Sequence, residues 1–195
     1  MEAILAGDDV LAVLPTGFGK SLCFQLPALL RPDDHPTVVV SPLVALIKDQ
    51  VDHLRNEKGI RAVAGITGRT SQAERTELLR DVADGQIRLL YVSPERLAKD
   101  KALETAIATQ QLAALIVDEA HCVSSWGHDF RPEFREIAKA IEHFERSPRV
   151  ALTATATPEV ADDIHDVLQM HRAVTVRLPV ERADLRYRVL RVPSE

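Results

Sequence analysis

Asp9-Val10-Leu11-Ala12-Val13-Leu14-Pro15-Thr16-Gly17-Phe18-Gly19-Lys20-Ser21 is the stretch on which the fold turns. An apolar run stops at a proline, two glycines follow one residue apart, and Lys20 and Ser21 open a segment with helical spacing that runs to Leu30. Strand, Gly-x-Gly-Lys-Ser turn and helix in that order are the setting of a phosphate-binding loop. Its glycines let backbone N–H groups turn toward an anion, and the helix N-terminus adds partial positive charge. In such a loop Lys20 reaches the outer phosphates and the Ser21 hydroxyl ligates Mg²⁺. The strict pattern has glycine where this chain has Leu14, so the competing reading is a turn that merely joins strand to helix.

Outward from this turn the chain repeats one rhythm of short β-branched run, turn and amphipathic helix. The predicted strands are Asp9 to Leu14, Thr37 to Ser41, Arg61 to Ile66, Arg88 to Val92, Leu112 to Val117, Val150 to Thr153 and, more weakly, Ala173 to Val176. The predicted helices are Ser21 to Leu30, Leu43 to Glu57, Ser71 to Ala83, Pro94 to Thr109, Pro132 to Phe144 and Pro158 to Met170. Such alternation predicts right-handed βαβ units: an α/β domain whose mostly parallel central sheet carries helices on both faces. Val38 to Val40 and Leu115 to Val117 are apolar throughout, which suits central strands buried on both sides.

Composition agrees with one globular domain. The chain has 195 residues, 46% hydrophobic and 27% charged, with 24 Lys and Arg against 29 Asp and Glu for a net charge of −5. These values exclude a disordered or collagen-like chain and argue against binding nucleic acid through bulk positive charge. A few well-placed donors in a groove remain compatible with a nucleic-acid backbone. No apolar run approaches the roughly 20 residues of a membrane helix, and no signal pattern opens the chain. A soluble, intracellular protein with no membrane partner is the expectation. Two cysteines, Cys23 and Cys122, far apart, build neither a disulfide framework nor a zinc site and are expected as buried small hydrophobes. From Arg172 to Arg191 arginines dominate, which fits either a solvated terminal strand and tail or a segment leading into a second domain.

A second motif strengthens the first. Leu112 to Val117 runs into Asp118-Glu119-Ala120-His121, placing two carboxylates at the C-terminal end of a central strand, where open α/β sheets hold their ligands. Asp118 is suited to hold Mg²⁺, and Glu119 to polarise the water that attacks a γ-phosphate. Alone, the pair would read as a helix cap; beside a phosphate loop it reads as catalytic.

Aromatics cluster just beyond. Of one Trp, two Tyr and five Phe in the chain, Trp126, Phe130 and Phe134 share the segment Ser124 to Phe134. Rings on an exposed loop are platforms for single-stranded bases, with Arg131 as phosphate or cation–π partner. The alternative is that the rings fill a core, which is the preferred reading for Phe134. Thr153-Ala154-Thr155-Ala156-Thr157 follows an apolar strand and can hydrogen-bond the acidic motif, or simply cap the helix at Pro158. A metal triad of Asp118, His121 and His128 fits no common zinc spacing, and His35, His53, His143, His165 and His171 read as surface residues.

Taken together, Leu14 to Pro27, Val38 to Gln50 with Ser41-Pro42-Leu43, Leu89 to Leu97 with Ser93-Pro94-Glu95-Arg96, Asp118 to Phe134, and Leu152 to Thr157 resemble the first RecA-like domain of a RecQ-family DNA helicase, in superfamily 2. That superfamily's phosphate loop normally lacks the first glycine, which accounts for Leu14. The resemblance implies that Thr16, Gly17, Phe18, Gly19, Lys20 and Ser21 hold ATP, with Mg²⁺ on Ser21 and Asp118. It implies that Lys20, Asp118 and Glu119 are catalytic. It implies that Trp126 to Phe134, including His128, Phe130 and Arg131, couples single-stranded DNA to hydrolysis, and that Thr153 and Thr155 link hydrolysis to unwinding. The family usually has Gln where this chain has Ser125.

The resemblance further implies an ATP-dependent helicase acting 3′ to 5′ on single-stranded and forked DNA in repair and recombination, in the cytoplasm or at a bacterial nucleoid. On this reading residues 1–180 are the ATP-binding domain, and the family's adenine-reading motif lies upstream of Met1. Residues 181–195 lead toward an absent second RecA-like domain with its arginine finger. The isolated chain is then expected to bind nucleotide weakly and turn over little. The alternative function is a non-catalytic nucleotide- or DNA-binding module derived from a helicase.

Overall fold

The seven apolar runs become seven strands of one sheet among the residues described by the computed structural model, which are 1–31, 35–108, 111–126, 130–131, 134, 137–138, 147–170, 172–179 and 188–189. The strands are β1 (Val10–Val13), β2 (Thr37–Val40), β3 (Val63–Ile66), β4 (Leu89–Val92), β5 (Ala114–Asp118), β6 (Arg149–Thr153) and β7 (Val174–Arg177). Their order is β3-β4-β2-β5-β6-β1-β7, and every pairing is parallel. Parallel pairing requires crossovers, which the helices supply. These are α1 (Glu2–Ala6), α2 (Leu22–Leu30), α3 (Val44–Asp52), α4 (Gln72–Ala83), α5 (Pro94–Lys99), α6 (Lys101–Ala108) and α7 (Pro158–Val167).

Both faces of the sheet are covered, as continuous apolar strands demand. On one face Val10, Ala12, Val39, Ile116 and Leu152 pack with Ile4 of α1, Phe24 and Ala28 of α2 and Ile47 of α3. On the other, Leu11, Val13, Val40, Leu115 and Val117 pack with Leu78 of α4, Ile107 of α6, Phe134 and Ile164 of α7. Val38, Val39 and Val40 are fully buried, which the unbroken triplet anticipates. At Gly65 in β3 a Cβ would lie 3.1 Å from Ile47 Cγ2, so the missing side chain lets α3 sit down on the sheet.

Several elements differ from the pattern read in the sequence. The helix expected from Leu43 to Glu57 is α-helical only to Asp52 and then widens to a π turn over His53–Glu57, closed by Lys58 N–H on His53 C=O. The helix expected from Pro94 to Thr109 breaks at Asp100, whose Oδ1 accepts the Leu103 N–H at 3.0 Å and so starts a new helix. The last predicted helix stops at Val167, before the left-handed Gln169 (φ 52). α1 and a 3₁₀ turn at Ala120–Val123 carried no legible period because each is about one turn long. The Pro132 to Phe144 helix falls largely outside the described residues, although Phe134, Ile137 and Ala138 within it are helical. Cys122 is buried but Cys23 only half-buried, and His53 is exposed while His35 and His165 are half-buried. No helix among the described residues is long and apolar enough to cross a membrane.

The order of strands creates a crevice. α2 leaves β1 for one face, whereas α7, which follows the adjacent β6, lies on the other. Helices that diverge from neighbouring strands open a cleft above the strands' C-terminal ends, and that is where the phosphate loop stands.

Candidate active site

Leu14 prolongs the β1 pairing by donating its N–H to Thr153 C=O at 2.9 Å, and the chain then turns away from the sheet. Phe18 N–H closes the turn on Pro15 C=O at 3.2 Å, with Gly17 at φ 88° and Gly19 at φ 75°. No atom lies within 4 Å of the place a Cβ would take at Gly17, so backbone conformation selects glycine there and the space before it is open. Thr16, Gly17 and Phe18 face solvent, Gly19, Lys20 and Ser21 are half-buried, and α2 begins at Leu22. Lys20 folds back so that its Nζ donates to Leu14 C=O at 3.3 Å, arching over the loop it belongs to.

Asp118 ends β5 on the same face of the sheet as α2. Burial, and then the charge of neighbouring Glu119, push its carboxyl up to about 6, while the Glu119 N–H bonded to it and the Lys20 ammonium pull it back down. Because every strand is parallel, the turn that follows β1 and the acids that end β5 stand at the same edge of the sheet. They do not stand on adjacent strands: β6 lies between β1 and β5. Two strand spacings, about 10 Å, therefore separate their backbones.

β6 brings the threonine motif between them. Thr153, fully buried, donates its hydroxyl proton to Thr155 C=O at 3.0 Å, so its oxygen is left to accept from His121 Nδ1 at 2.9 Å. This assigns the imidazole proton to Nδ1, which also points at Glu119 Oε2 at 3.3 Å. Glu119 itself adopts φ 49°, ψ 47°, a left-handed conformation that costs a non-glycine residue about 1 kcal/mol or more. His121 was read only as part of a doubtful metal triad; its link to Thr153 spans 32 residues and has no sequence signal.

The aromatics separate as their surroundings dictate. Phe134 is fully buried, whereas Trp126 is 76% and Phe130 38% exposed. Arg131 is half committed: its Nη1 donates to Pro42 C=O at 3.2 Å and its N–H to Cys122 C=O at 3.1 Å, which ties the aromatic loop to the Ser41-Pro42-Leu43 turn. Thr155 is exposed. His128 lies outside the described residues.

The loop fits a nucleotide's phosphates and the acids fit a divalent cation. The turn offers an open glycine cradle and a helix N-terminus, and a half-buried pair of adjacent carboxylates recovers from a cation part of the solvation it has lost. Ser21 and Asp118 are the residues present to hold it.

A parallel sheet with a Gly-x-Gly-Lys-Ser loop and an Asp-Glu pair at its C-terminal edge defines the phosphate-loop class of nucleotide-binding domains. A family model described as "DEAD/DEAH box helicase" matches residues 1–181, and the chain belongs to that family. It is 44% identical over 195 residues to "ATP-dependent DNA helicase Q5" of Mus musculus, covering 97% of this chain and 20% of the relative. Against "Probable ATP-dependent DNA helicase RecS" of Bacillus subtilis it is 38% identical over 189 residues, covering 97% of this chain and 37% of the relative. Against the Xenopus laevis "RecQ-like DNA helicase BLM" it is 40% identical over 196 residues, 97% of this chain and 14% of the relative. The chain thus spans well under half the length of these relatives. Among solved structures, the fold matches the DUF1998 helicase MrfA bound to DNA and AMPPNP at a TM-score of 0.71 and 19% identity, over 90% of this chain and 25% of that one. It matches Mycobacterium smegmatis helicase Lhr bound to ssDNA and AMP-PNP at 0.69 and 24%, over 91% of this chain and 25% of that one. The RecA-like helicase fold is therefore established, and the chain is a helicase motor domain similar to those of RecQ-type enzymes.

Proposed function

We propose that this domain hydrolyses ATP to drive 3′-to-5′ translocation on single-stranded DNA and unwinding of forked duplex, serving repair and recombination in a RecQ-type helicase. The observation that supports the reading is that the glycine turn after β1 and the Asp118–Glu119 pair at the end of β5 stand at the same C-terminal edge of one parallel sheet. Thr16 to Ser21 wrap the phosphates with backbone N–H groups, and Lys20 leaves Leu14 C=O for the outer phosphate oxygens. Ser21 and Asp118 would hold Mg²⁺, which would supply charge neutralisation for those oxygens. Glu119 orients the attacking water, and His121, its Nδ1–H fixed by Thr153, holds the Glu119 carboxylate in place.

Trp126 and Phe130, with Arg131, form the surface on which unpaired bases stack, and Thr155 lies where a change at Thr153 first leaves the buried edge. Nucleotide analogues and DNA are held together by the structural neighbours MrfA and Lhr. Residues 1–180 form the ATP-binding lobe and 181–195 lead toward a second RecA-like lobe that closes over the nucleotide and supplies an arginine finger, in an enzyme of the cytoplasm or nucleoid. The test is DNA-stimulated ATP hydrolysis and 3′-tailed duplex unwinding by the natural full-length protein and its Lys20→Ala variant. Loss of both in the variant is the expected result; equal rates would remove the enzyme reading in favour of a non-hydrolytic binding module.

A further inference from the structure

The acidic motif and the aromatic loop are the two ends of the 3₁₀ turn Ala120–Val123, and both ends are fastened to the same neighbouring unit, β6 with its helix α7. At the first end His121 is bonded to Thr153 of β6. At the second, a single carboxylate oxygen of α7, Asp163 Oδ2, accepts the Ser124 hydroxyl at 2.8 Å and the Ser125 N–H at 3.0 Å, with Ser125 Oγ at 3.5 Å. Ser124 is fully buried, so its hydroxyl must be satisfied. It is satisfied twice, because the same oxygen accepts the Trp126 N–H at 3.2 Å. A chain of hydrogen bonds therefore runs from the Asp163 carboxylate through Ser124 to the backbone of Trp126, whose ring stands 76% exposed.

We propose that Asp163 is a positioning residue: it holds the base of the aromatic loop, fixes where Trp126 is presented, and makes DNA engagement by that ring felt at Glu119 and His121 through the four-residue turn between the two clamps. The physical reasons are local. A charged acceptor makes shorter and stronger bonds than a neutral one. A 3₁₀ turn of four residues packed on α7 through buried Ala120, Cys122 and Val123 has little room to bend, so a displacement at Ser124 arrives at His121 as a displacement rather than being absorbed. Sequence alone does not join Asp163 and Ser124, which are 39 residues apart. The inference rests on the reading of Trp126 as a DNA-stacking residue, but the clamp itself is a statement about this chain.

The experiment has two arms. Trp126 is the only tryptophan of the 195-residue chain, so its emission reports the loop directly. In the first arm, acrylamide quenching and fluorescence anisotropy of Trp126 are compared among wild type, Asp163→Ala, Asp163→Asn, Ser124→Ala and the exposed control Asp162→Ala. In the second, the natural full-length protein and the same variants are assayed for ATP hydrolysis with and without single-stranded DNA. Asp163→Ala and Ser124→Ala should lower anisotropy and cut the DNA-stimulated rate about tenfold, the value of roughly one charge-assisted hydrogen bond. The DNA-free rate should be unchanged, Asp163→Asn should recover part of both signals, and Asp162→Ala should match wild type. Unchanged Trp126 anisotropy in Asp163→Ala overturns the clamp, as does an equal fall of DNA-free and DNA-stimulated rates with no rescue by Asp163→Asn, which marks a purely structural role. Should the wild type show no DNA stimulation at all, the proposed function fails on its own, and Trp126 anisotropy still decides the clamp.

Discussion

Thr153 carries more of the site than its size suggests. Its hydroxyl gives its proton to Thr155 C=O and receives one from His121, so a single side chain sets the tautomer of the histidine beside Glu119. Thr153→Val keeps shape and burial but removes both of these bonds and the longer one its oxygen accepts from the Thr155 N–H at 3.3 Å. The expected outcome in steady-state ATPase measurements is a fall in kcat of about tenfold, the worth of one to two hydrogen bonds, with KM for ATP nearly unchanged. Trp126 belongs to the same scale with the opposite burial. At 76% exposure its removal should leave the melting temperature within about 1 °C, since exposed substitutions rarely exceed ~0.5 kcal/mol. DNA affinity should fall by the ~1–3 kcal/mol that one stacked base is worth. Calorimetric melting and a DNA titration read the two effects separately. Which aromatic goes inward was only partly legible: Phe134 sits where helical spacing resumes, whereas nothing in the sequence distinguishes Trp126 from Phe130 in exposure.

At the scale of elements, the break between α5 and α6 shows how a polar residue becomes structural. Asp100 is 6% exposed, its carboxylate held by the Arg75 guanidinium from α4, with Arg96 of α5 at 3.8 Å and the Leu103 N–H at its other oxygen. Burial alone would raise its pKa, but the Arg75 hydrogen bond, the Leu103 N–H and the two arginine charges together hold it below the ordinary carboxylate value. The folded value being the lower one, the stabilisation is complete above the unfolded carboxyl's pKa of about 3.9 and fades as pH falls through the folded value. Denaturation of wild type and Asp100→Asn from pH 7 to 3 should show a gap that is constant down to about pH 4.5 and closes below it. A gap that instead widened on acidification would contradict the assignment. The sequence shows a continuous helical period from Pro94 to Thr109 because α5 and α6 share it; the break comes from a tertiary partner, Arg75, that lies 25 residues away. The strands were legible to within two residues at each end because a parallel sheet covered on both faces writes itself as uninterrupted apolar runs. β7 is the exception: its four residues are all exposed, and its pattern was correspondingly faint.

For the whole molecule, the consequence of the strand order is that chemistry from three distant segments meets at one crevice. β1 delivers the phosphate loop, β5 the acids and, between them, β6 the threonines. The sequence disclosed the two outer motifs but not the intervening strand, because adjacency in a parallel sheet follows from crossover topology and not from order along the chain. A net charge of −5 also bears on this scale. On the proposed function DNA is held by a few local donors and stacking rings, so the binding constant should fall only shallowly with salt, with a slope near −0.7 for each phosphate neutralised on a single strand.

The claim beneath all of this is that Lys20 and Asp118 act on one magnesium nucleotide, and a double-mutant cycle tests it most directly. Nucleotide affinity is measured by titration calorimetry for wild type, Lys20→Ala, Asp118→Asn and the double variant, with Mg²⁺ and again with EDTA. The account predicts single losses that fail to add by more than about 1 kcal/mol in Mg²⁺ and that add in EDTA. Strict additivity in both conditions would place the lysine and the aspartate at separate sites and contradict it.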